Sequence, residues 1–271
     1  MTAAFPAPAW LVGCGNMAGA MVEGWRAAGV DLSKVTVIRP SGTPVPGIKT
    51  LIDYPANETP RFVMLGFKPQ KLDEVTPGLA PHIGTETILV SMLAGVTAAN
   101  LRERFPQARA IIRVMPNLPV AQRAGVTPLY SEDDETDAKN SIANLMSALG
   151  LAPWCAEESQ IAAIGSISAS GPAYFARFAE AIGRAGAERG LDPQLAQAIA
   201  AQTMIGTGAF AAATDESMAA IARRVASPKG TTEQGLNVLD APDGLQPLVD
   251  RMLDAALRRV DELAAAAASR N

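Results

Sequence analysis

Short apolar runs alternate with segments of helical periodicity over the first half of the chain. The apolar runs cover positions 10–12, 35–38, 61–66, 87–92 and 110–115, and each predicts a strand. Segments 70–79 and 97–105 carry apolar residues at helical spacing, and Thr97 is a suitable N-cap for the second of them. This alternation of strands and helices predicts a mostly parallel, doubly wound sheet.

The segment between the second and third apolar runs breaks the alternation. Positions 40, 44, 46, 55 and 60 are all proline. Because proline lacks an N–H and clashes with the preceding helical turn, we expect the usual crossover helix to be lost or reduced here. Residues 48–52 carry the pattern of a short strand.

From about Ser131 onward the pattern becomes almost entirely helical. Ser131 is a candidate N-cap for a helix ending at Gly150, and a short strand is expected near Trp154. Further helical segments, apolar on more than one face as in subunit interfaces, cover 161–167, 173–187, 195–213 and 248–268. We therefore predict an α/β protein with a Rossmann domain over 1–157. An all-α dimerisation and substrate domain follows over 158–271, in a homo-oligomer of one or more dimers.

Composition narrows the classes of partner. A formal net charge of −4 and a pI of about 5.2 argue against nucleic acid and anionic membranes. Cys14, Cys155 and His82 are too few ligands for a zinc site, so no metal is expected, and His82 is assigned to a surface loop. The sequence shows neither a signal-peptide pattern nor an apolar stretch of about 20 residues, which predicts a cytoplasmic location.

A glycine-rich turn follows the first predicted strand. Gly13 permits a tight turn, Gly15 lets the backbone approach a pyrophosphate, and Ala18 allows close packing of strand and helix. Asn16 and Met17 complete the turn, and the next helix, beginning at about Met17, faces the phosphates with its N-terminus. A purely structural glycine turn is the alternative, but the position between a strand and a helix favours dinucleotide binding.

The end of the second strand bears on the choice of cofactor. NAD-selective sites place an acidic residue there, whereas this chain has Arg39 and Ser41. Arg39 can stack on adenine and pair with a 2′-phosphate, and Ser41 adds a hydroxyl. This favours NADP, with NAD as the other candidate; a solvated loop arginine is the alternative interpretation.

Two further strand ends and one later loop carry candidate binding groups. Lys68-Pro69 and Asn117 follow predicted strands, at the sheet edge where ligands gather; a surface lysine and a turn asparagine are the alternatives. The later loop precedes a helix and consists of small and hydroxyl-bearing residues. Its N–H groups could form a nest that binds a carboxylate; an ordinary helix start is the alternative. Its candidate substrate-binding residues are Ser227, Lys229, Gly230, Thr231 and Thr232.

Together these motifs resemble the pyrroline-5-carboxylate reductase family from residue 10 to about 263. The stretches that carry the resemblance are VGCGNMAGAM, GFKPQ, SMLAGVT, RVMPNLP, SASGPAYF and ASPKGTTEQGL. The resemblance implies that NAD(P)H gives a hydride to C5 of the cyclic imine 1-pyrroline-5-carboxylate, forming L-proline in the last step of proline biosynthesis. It also implies a Rossmann domain joined to a helical dimerisation domain.

The resemblance assigns roles to individual positions. Ser227, Gly230 and Thr231 would hold the substrate carboxylate, and Thr232 would hydrogen-bond the ring nitrogen as the catalytic residue. Cofactor-side positions would be Asn57, Lys68, Ala94 and Asn117.

The chain departs from the family's usual pattern in three places. Leu118 stands where threonine is usual, and Gly66-Phe67 where alanine-valine is usual. The proline-rich segment 40–60 is also shorter than its helix-containing counterpart, which bears on the adenosine side of the cofactor.

Two other functions fit parts of the pattern. A related imine or β-hydroxyacid reductase shares the layout, but hydroxyacid enzymes use a lysine on the helix that here reads SGPAYFARF, without lysine. A non-catalytic NADP sensor would need no substrate loop, so the intact ASPKGTT motif argues against it.

Overall fold

The computed structural model describes residues 3–268, without the side chains of 260, 261 and 263–268. The backbone divides into two compact units. One contains the chain up to Ala169 together with the chain from Val260 onward, and the other is Ser170–Arg259. The predicted boundary after residue 157 differs from this division by the length of one helix, α5 (Ser159–Ser168).

The first unit is built on one sheet of the predicted type. Its strands are β1 (Ala9–Val12), β2 (Val35–Ile38), β3 (Lys49–Leu51), β4 (Phe62–Leu65), β5 (Ile88–Ser91), β6 (Ala110–Val114) and β8 (Leu129–Tyr130). They lie in the order β3-β2-β1-β4-β5-β6-β8, with β8 antiparallel to β6 and the other neighbours parallel. The order reverses between β1 and β4, which is the ligand-binding crevice of a doubly wound sheet.

Helices cover both faces of this sheet. Those of the first unit are α1 (Asn16–Ala27), α2 (Leu72–Leu79), α3 (Ala98–Arg104), α4 (Thr136–Ser147) and α5. Successive strand residues point to opposite faces, so Leu11 belongs to the apolar cluster that contains Trp25 of α1 and Leu145 of α4, whereas Trp10 belongs to the cluster that contains Leu101 of α3. The fully buried strands therefore read as continuous apolar runs, and this is why they could be predicted.

The proline-rich crossover contains no helix among the described residues between β2 and β4, and its short strand is β3, as predicted. Tyr54 from this segment stacks on Trp10 with ring centroids 6.0 Å apart, and its ring lies 5.4 Å from that of His82. His82 is therefore half-buried in an aromatic cluster on a 3-10 turn (Ala80–His82), and its assignment to a surface loop is corrected.

The predicted start of the helix after Ser131 is wrong. The helix α4 begins at Thr136, and the Ser131 hydroxyl accepts instead from the Asp133 N–H. Asp133 binds the Arg102 guanidinium and the Ile111 N–H, both at 2.7 Å. These bonds hold residues 131–135 against the edge of β6, so the helix cannot begin there.

The predicted end of that helix is also corrected. Helix α4 ends at Ser147, and Gly150, with φ +134, lies in a two-residue strand β9 (Gly150–Leu151) that pairs with β7 (Gly125–Val126). Near Trp154 there is only an isolated bridge to Leu129, not a strand.

The second unit is helical. It consists of α6 (Gly171–Ala187), α7 (Pro193–Thr214), α8 (Met218–Val225), α9 (Thr231–Leu239) and most of α10 (Leu245–Ala268). Helices α6 and α7 pack closely, because Gly183 leaves room for the Gln197 side chain, whose amide donates to the Glu180 carbonyl at 3.1 Å. Large apolar side chains on these helices, including Phe175, Phe178, Ile199 and Ile205, remain exposed in the single chain. None of the described helices meets the length and hydropathy needed to cross a membrane.

Candidate functional site

The glycine turn joins the carboxyl ends of three adjacent strands. Gly13 follows β1, has φ +81, and donates its N–H to the Ile38 carbonyl at the end of β2, at 2.8 Å. A Cβ on Gly13 would stand 2.9 Å from the Gly66 carbonyl oxygen at the end of β4. Both the left-handed backbone and this close approach require glycine at position 13.

Helix α1 presents its N-terminus at this turn. Gly15 is the N-cap, has an extended backbone, and no side chain caps the helix. Asn16 and Met17 are its first residues, and Gly15 and Asn16 are exposed. The first N–H groups of a helix have no partners within it, and together with the helix dipole they form an anion site suited to a pyrophosphate.

Arg39 and Ser41 lie together at the end of β2. Arg39 Nε donates to Ser41 Oγ at 3.0 Å, and the Thr43 hydroxyl donates to the same oxygen at 3.1 Å. Arg39 is half-buried and has no salt bridge to an acidic residue among those described. A guanidinium without an acidic partner beside two hydroxyls is a good arrangement for a phosphate ester.

Cys14 lies inside the glycine turn but has no nucleophilic character. Burial raises the pKa of its thiol, and the nearby positive charge of Arg39 offsets this only in part. The thiol therefore stays protonated near neutral pH and acts as a small packed side chain.

The other predicted cofactor positions lie on exposed loops, with one exception. Lys68 follows β4 and precedes a 3-10 turn (Pro69–Lys71), and Ala94 follows β5 in the loop before α3. Asn57 lies on an exposed turn of the proline-rich crossover. Lys68, Pro69 and Ala94 thus share the sheet edge with the glycine turn.

Asn117 is the exception, because it is buried and both ends of its amide are engaged. Its Nδ2 donates to the Ser168 carbonyl at 2.8 Å, and its Oδ1 accepts from the Val126 N–H at 2.8 Å. The side chain thereby ties the segment after β6 to β7 and to the end of α5. This structural role was not expected from the sequence.

A buried ion pair near the end of β6 was also missed. Arg113, on β6, is 9% exposed in its side chain and pairs with Glu158 at 2.8 Å. The same carboxylate oxygen accepts from the Ala98 N–H at the start of α3, at 2.7 Å. Arg113 lies in an otherwise apolar strand and Glu158 is distant in sequence, so no local pattern could pair them.

The loop before α9 in the second unit has the geometry of an anion nest. Lys229 adopts φ +60, and its N–H donates to the Glu233 carboxylate at 2.8 Å. Gly230 is the N-cap; its N–H donates to the Ser227 carbonyl at 2.9 Å, and a Cβ here would lie 2.3 Å from Ser227 Oγ. The loop therefore requires glycine at 230.

Three N–H groups at the start of α9 are without a hydrogen-bond partner. Within the described residues, the N–H groups of Thr231, Thr232 and Glu233 donate to no acceptor, and the first intrahelical bond is made by Gln234. The side chains of Ser227, Thr231 and Thr232 are exposed. Free N–H donors at a helix start, with hydroxyls beside them, suit a carboxylate.

All the predicted site residues but one form three groups, and Asn57 lies apart on the turn of the proline-rich crossover. Gly13, Gly15, Asn16, Met17, Arg39 and Ser41 surround the glycine turn; Lys68, Pro69, Ala94 and Asn117 follow β4, β5 and β6; and the substrate candidates share the loop before α9. Within the described part of the chain, no group of three or more His, Cys, Asp or Glu residues is arranged to hold a metal ion.

Comparison with known proteins agrees with these features. Residues 158–263 match a family model described as pyrroline-5-carboxylate reductase dimerisation. A pyrroline-5-carboxylate reductase of Pseudomonas aeruginosa is 34% identical over 93% of this chain and 95% of its own length. This chain belongs to the pyrroline-5-carboxylate reductase family.

Solved structures of this reductase family agree with the fold. A pyrroline-5-carboxylate reductase from Coxiella burnetii superposes with a TM-score of 0.87 at 32% identity, covering 96% of this chain and 99% of that one. The Plasmodium falciparum pyrroline carboxylate reductase, solved with NADP bound, gives 0.76 at 22% identity, covering 94% and 97%, and shows the fold alone. The predicted Rossmann domain followed by a helical dimerisation domain is confirmed.

Proposed function

We propose that this chain is a pyrroline-5-carboxylate reductase that converts the cyclic imine 1-pyrroline-5-carboxylate to L-proline. The observation that carries the proposal is the loop before α9, with its free N–H donors and exposed hydroxyls, in a chain that also carries a dinucleotide-binding turn. One group suits a small carboxylate and the other a pyrophosphate. A reductase of a carboxylated imine needs both.

The cofactor fits the first unit. When bound, NAD(P)H supplies the hydride for C5 of the imine. Gly13 and Gly15 let the protein backbone approach the pyrophosphate closely. The first N–H groups of α1, at Asn16 and Met17, stabilise its negative charge. Arg39 and Ser41 favour the 2′-phosphate of NADP over the bare ribose of NAD.

The substrate fits the second unit. The N–H groups of Thr231 and Thr232, with the Ser227 hydroxyl, bind the carboxylate and fix the ring. The Thr232 hydroxyl accepts from the protonated imine nitrogen and can donate to the amine lone pair that appears when the C=N bond becomes single. A protonated imine is already electrophilic, so orientation and electrostatics are the main contributions of the protein.

The remaining assignments belong to the same proposal. Lys68, Pro69, Asn57, Ala94 and Asn117 form or support the cofactor side, Lys229 and Gly230 shape the carboxylate loop, and Thr232 is the catalytic residue. We also propose a domain boundary after residue 157, which the start of the family-model match at 158 supports.

The assembly and location complete the proposal. The chain forms homodimers, or multiples of them, through its helical region; the exposed apolar side chains of α6 and α7 support this. Light scattering at micromolar concentration tests this assembly, and a stable monomer would contradict it. We further propose a cytoplasmic location, which fractionation of cells producing the tagged chain would test.

The test of the activity is substrate-dependent oxidation of NADPH, followed by cofactor absorbance, with L-proline identified as the product. 1-Pyrroline-5-carboxylate should be reduced faster than 1-pyrroline, because the latter lacks the carboxylate that the loop binds. Equal rates would show that the nest does not bind substrate. A protein that binds NADPH but oxidises it with neither imine would instead be a sensor.

A further inference from the structure

One buried hydroxyl of the first unit has no hydrogen-bond partner. Ser168 is the last residue of α5 and is 8% exposed, and its Oγ is unpaired within the described residues. Leaving a buried hydroxyl unpaired is unfavourable, because the group has lost its hydrogen bonds to water and gained none in return. A partner in the working protein would offset that cost.

The neighbouring serine shows that the helix itself offers partners. Ser166, also on α5 and 6% exposed, donates its Oγ to the Ala163 carbonyl at 2.7 Å. A serine in a helix commonly bonds back to a carbonyl of the preceding turn in this way. Ser168 makes no such bond, so its hydroxyl keeps its capacity both to donate and to accept.

The position of Ser168 is fixed by Asn117. The Ser168 carbonyl accepts from Asn117 Nδ2 at 2.8 Å, and Asn117 lies just beyond the carboxyl end of β6. Strand β6 belongs to the half of the sheet on the far side of the β1–β4 reversal from Arg39 and β2. A dinucleotide bound across that reversal, with its adenosine at β2, has its nicotinamide on the β4–β6 side.

We propose that the Ser168 hydroxyl hydrogen-bonds the carboxamide of the bound nicotinamide, an inference that rests on the proposed use of NAD(P)H. A hydroxyl donates one hydrogen bond and accepts others, which matches a neutral amide with both an oxygen and an NH₂ group. Asn117, whose amide already bridges Ser168 and Val126, then acts as a positioning residue that holds Ser168 in place.

The experiment compares Ser168→Ala with Ser166→Ala in the full-length protein, using two probes. NADP⁺ carries the carboxamide, whereas 2′,5′-ADP contains only the adenosine half. Losing one neutral hydrogen bond should weaken NADP⁺ binding to Ser168→Ala roughly 3- to 10-fold. Its binding of 2′,5′-ADP should not change, and Ser166→Ala should bind both probes as the wild type does.

Urea unfolding without ligand supplies the second readout. Ser166→Ala should be less stable than the wild type, because it loses a satisfied buried hydrogen bond. Ser168→Ala should be as stable as the wild type or more stable, because the hydroxyl that it loses is unpaired. The two variants should therefore show opposite patterns in binding and in stability.

Three results would overturn the inference. Ser168→Ala could bind NADP⁺ as tightly as the wild type, could lose affinity equally for both probes, or could lose as much ligand-free stability as Ser166→Ala. The last result would mean that the hydroxyl has a partner inside the protein. A wild-type protein that binds neither probe would overturn the proposed function itself.

Discussion

The carboxylate of Glu158 pairs with the buried guanidinium of Arg113, with 2.8 Å between Oε1 and Nη1. Because the same oxygen accepts from the Ala98 N–H, the pair joins β6 to the starts of α3 and α5. The other end of α5 also holds Asn117, because the Ser168 carbonyl accepts from Asn117 Nδ2. The pair is therefore expected to stabilise the nicotinamide side of the first unit.

Glu158→Gln tests this, because it keeps the shape but leaves the Arg113 charge buried without a counter-ion. Removing one partner of a buried pair costs roughly 3–5 kcal/mol, and the 23% exposure of the Glu158 side chain places the expected loss near 3 kcal/mol. Urea unfolding measures the change. The control is Glu86→Gln in the exposed Arg61–Glu86 pair, which should cost less than about 1 kcal/mol. Equal small losses would mean that water screens the Arg113 charge.

Arg39→Ala should weaken NADPH binding more than NADH binding. The guanidinium has no acidic partner among the described residues, and a 2′-phosphate is the group that distinguishes the two cofactors. Fluorescence titration of each cofactor gives the ratio of dissociation constants. Arg26→Ala is a matched control, because Arg26 donates to the Pro46 carbonyl and should affect neither cofactor selectively. Equal losses for both cofactors in Arg39→Ala would remove its 2′-phosphate role.

Thr232→Val should lower turnover by roughly 10²- to 10³-fold, because it removes a hydroxyl placed where charge changes during hydride transfer. NADPH affinity and stability should change little, since the residue is exposed and valine is nearly isosteric. Thr231→Val should cost less, because its N–H serves the carboxylate and is retained. Steady-state kinetics of both variants measures the two losses of turnover. If Thr232→Val keeps wild-type turnover, positioning of the substrate rests on the N–H groups alone.

Gly24→Ala should destabilise the protein, whereas Gly19→Ala in the same helix should not. A Cβ at Gly24 would stand 2.1 Å from the Val120 carbonyl oxygen, but nothing lies within 4 Å of one at Gly19. Overpacking costs roughly 1–3 kcal/mol, while a helical glycine with open space around it gains up to about 1 kcal/mol when replaced by alanine. Thermal unfolding of both variants checks the sign. Similar melting temperatures would show that α1 and the Val120 turn can move apart.

Most of the first unit could be predicted because its signals are local. Buried parallel strands read as apolar runs, and Thr97 caps α3 as predicted, its Oγ accepting from the Asn100 N–H at 3.1 Å. The errors came where a distant contact overrides a local preference. Asp133, held by Arg102 and Ile111, delays α4 past a serine that looks like a suitable cap.

The candidate site divides in the same way. Gly13 could be predicted because its left-handed backbone favours glycine, and Gly230 because Ser227 approaches it too closely for a Cβ. The bridging role of Asn117 and the pairing of Arg113 with Glu158 could not, since each joins groups that are tens of residues apart in the chain. Periodicity and motifs carry no information about such contacts.

The close approach of Gly13 and Gly66 bears on how this reductase could be engineered. A Cβ on Gly66 would lie 2.7 Å from the Gly13 carbonyl oxygen, so the space between the two residues is too small for a side chain on Gly66. The family usually has alanine at 66, and consensus design would restore it as a conservative, stabilising change. In this chain that alanine would push the phosphate turn away from β4. A thermostabilised variant should therefore keep glycine at position 66, against the consensus.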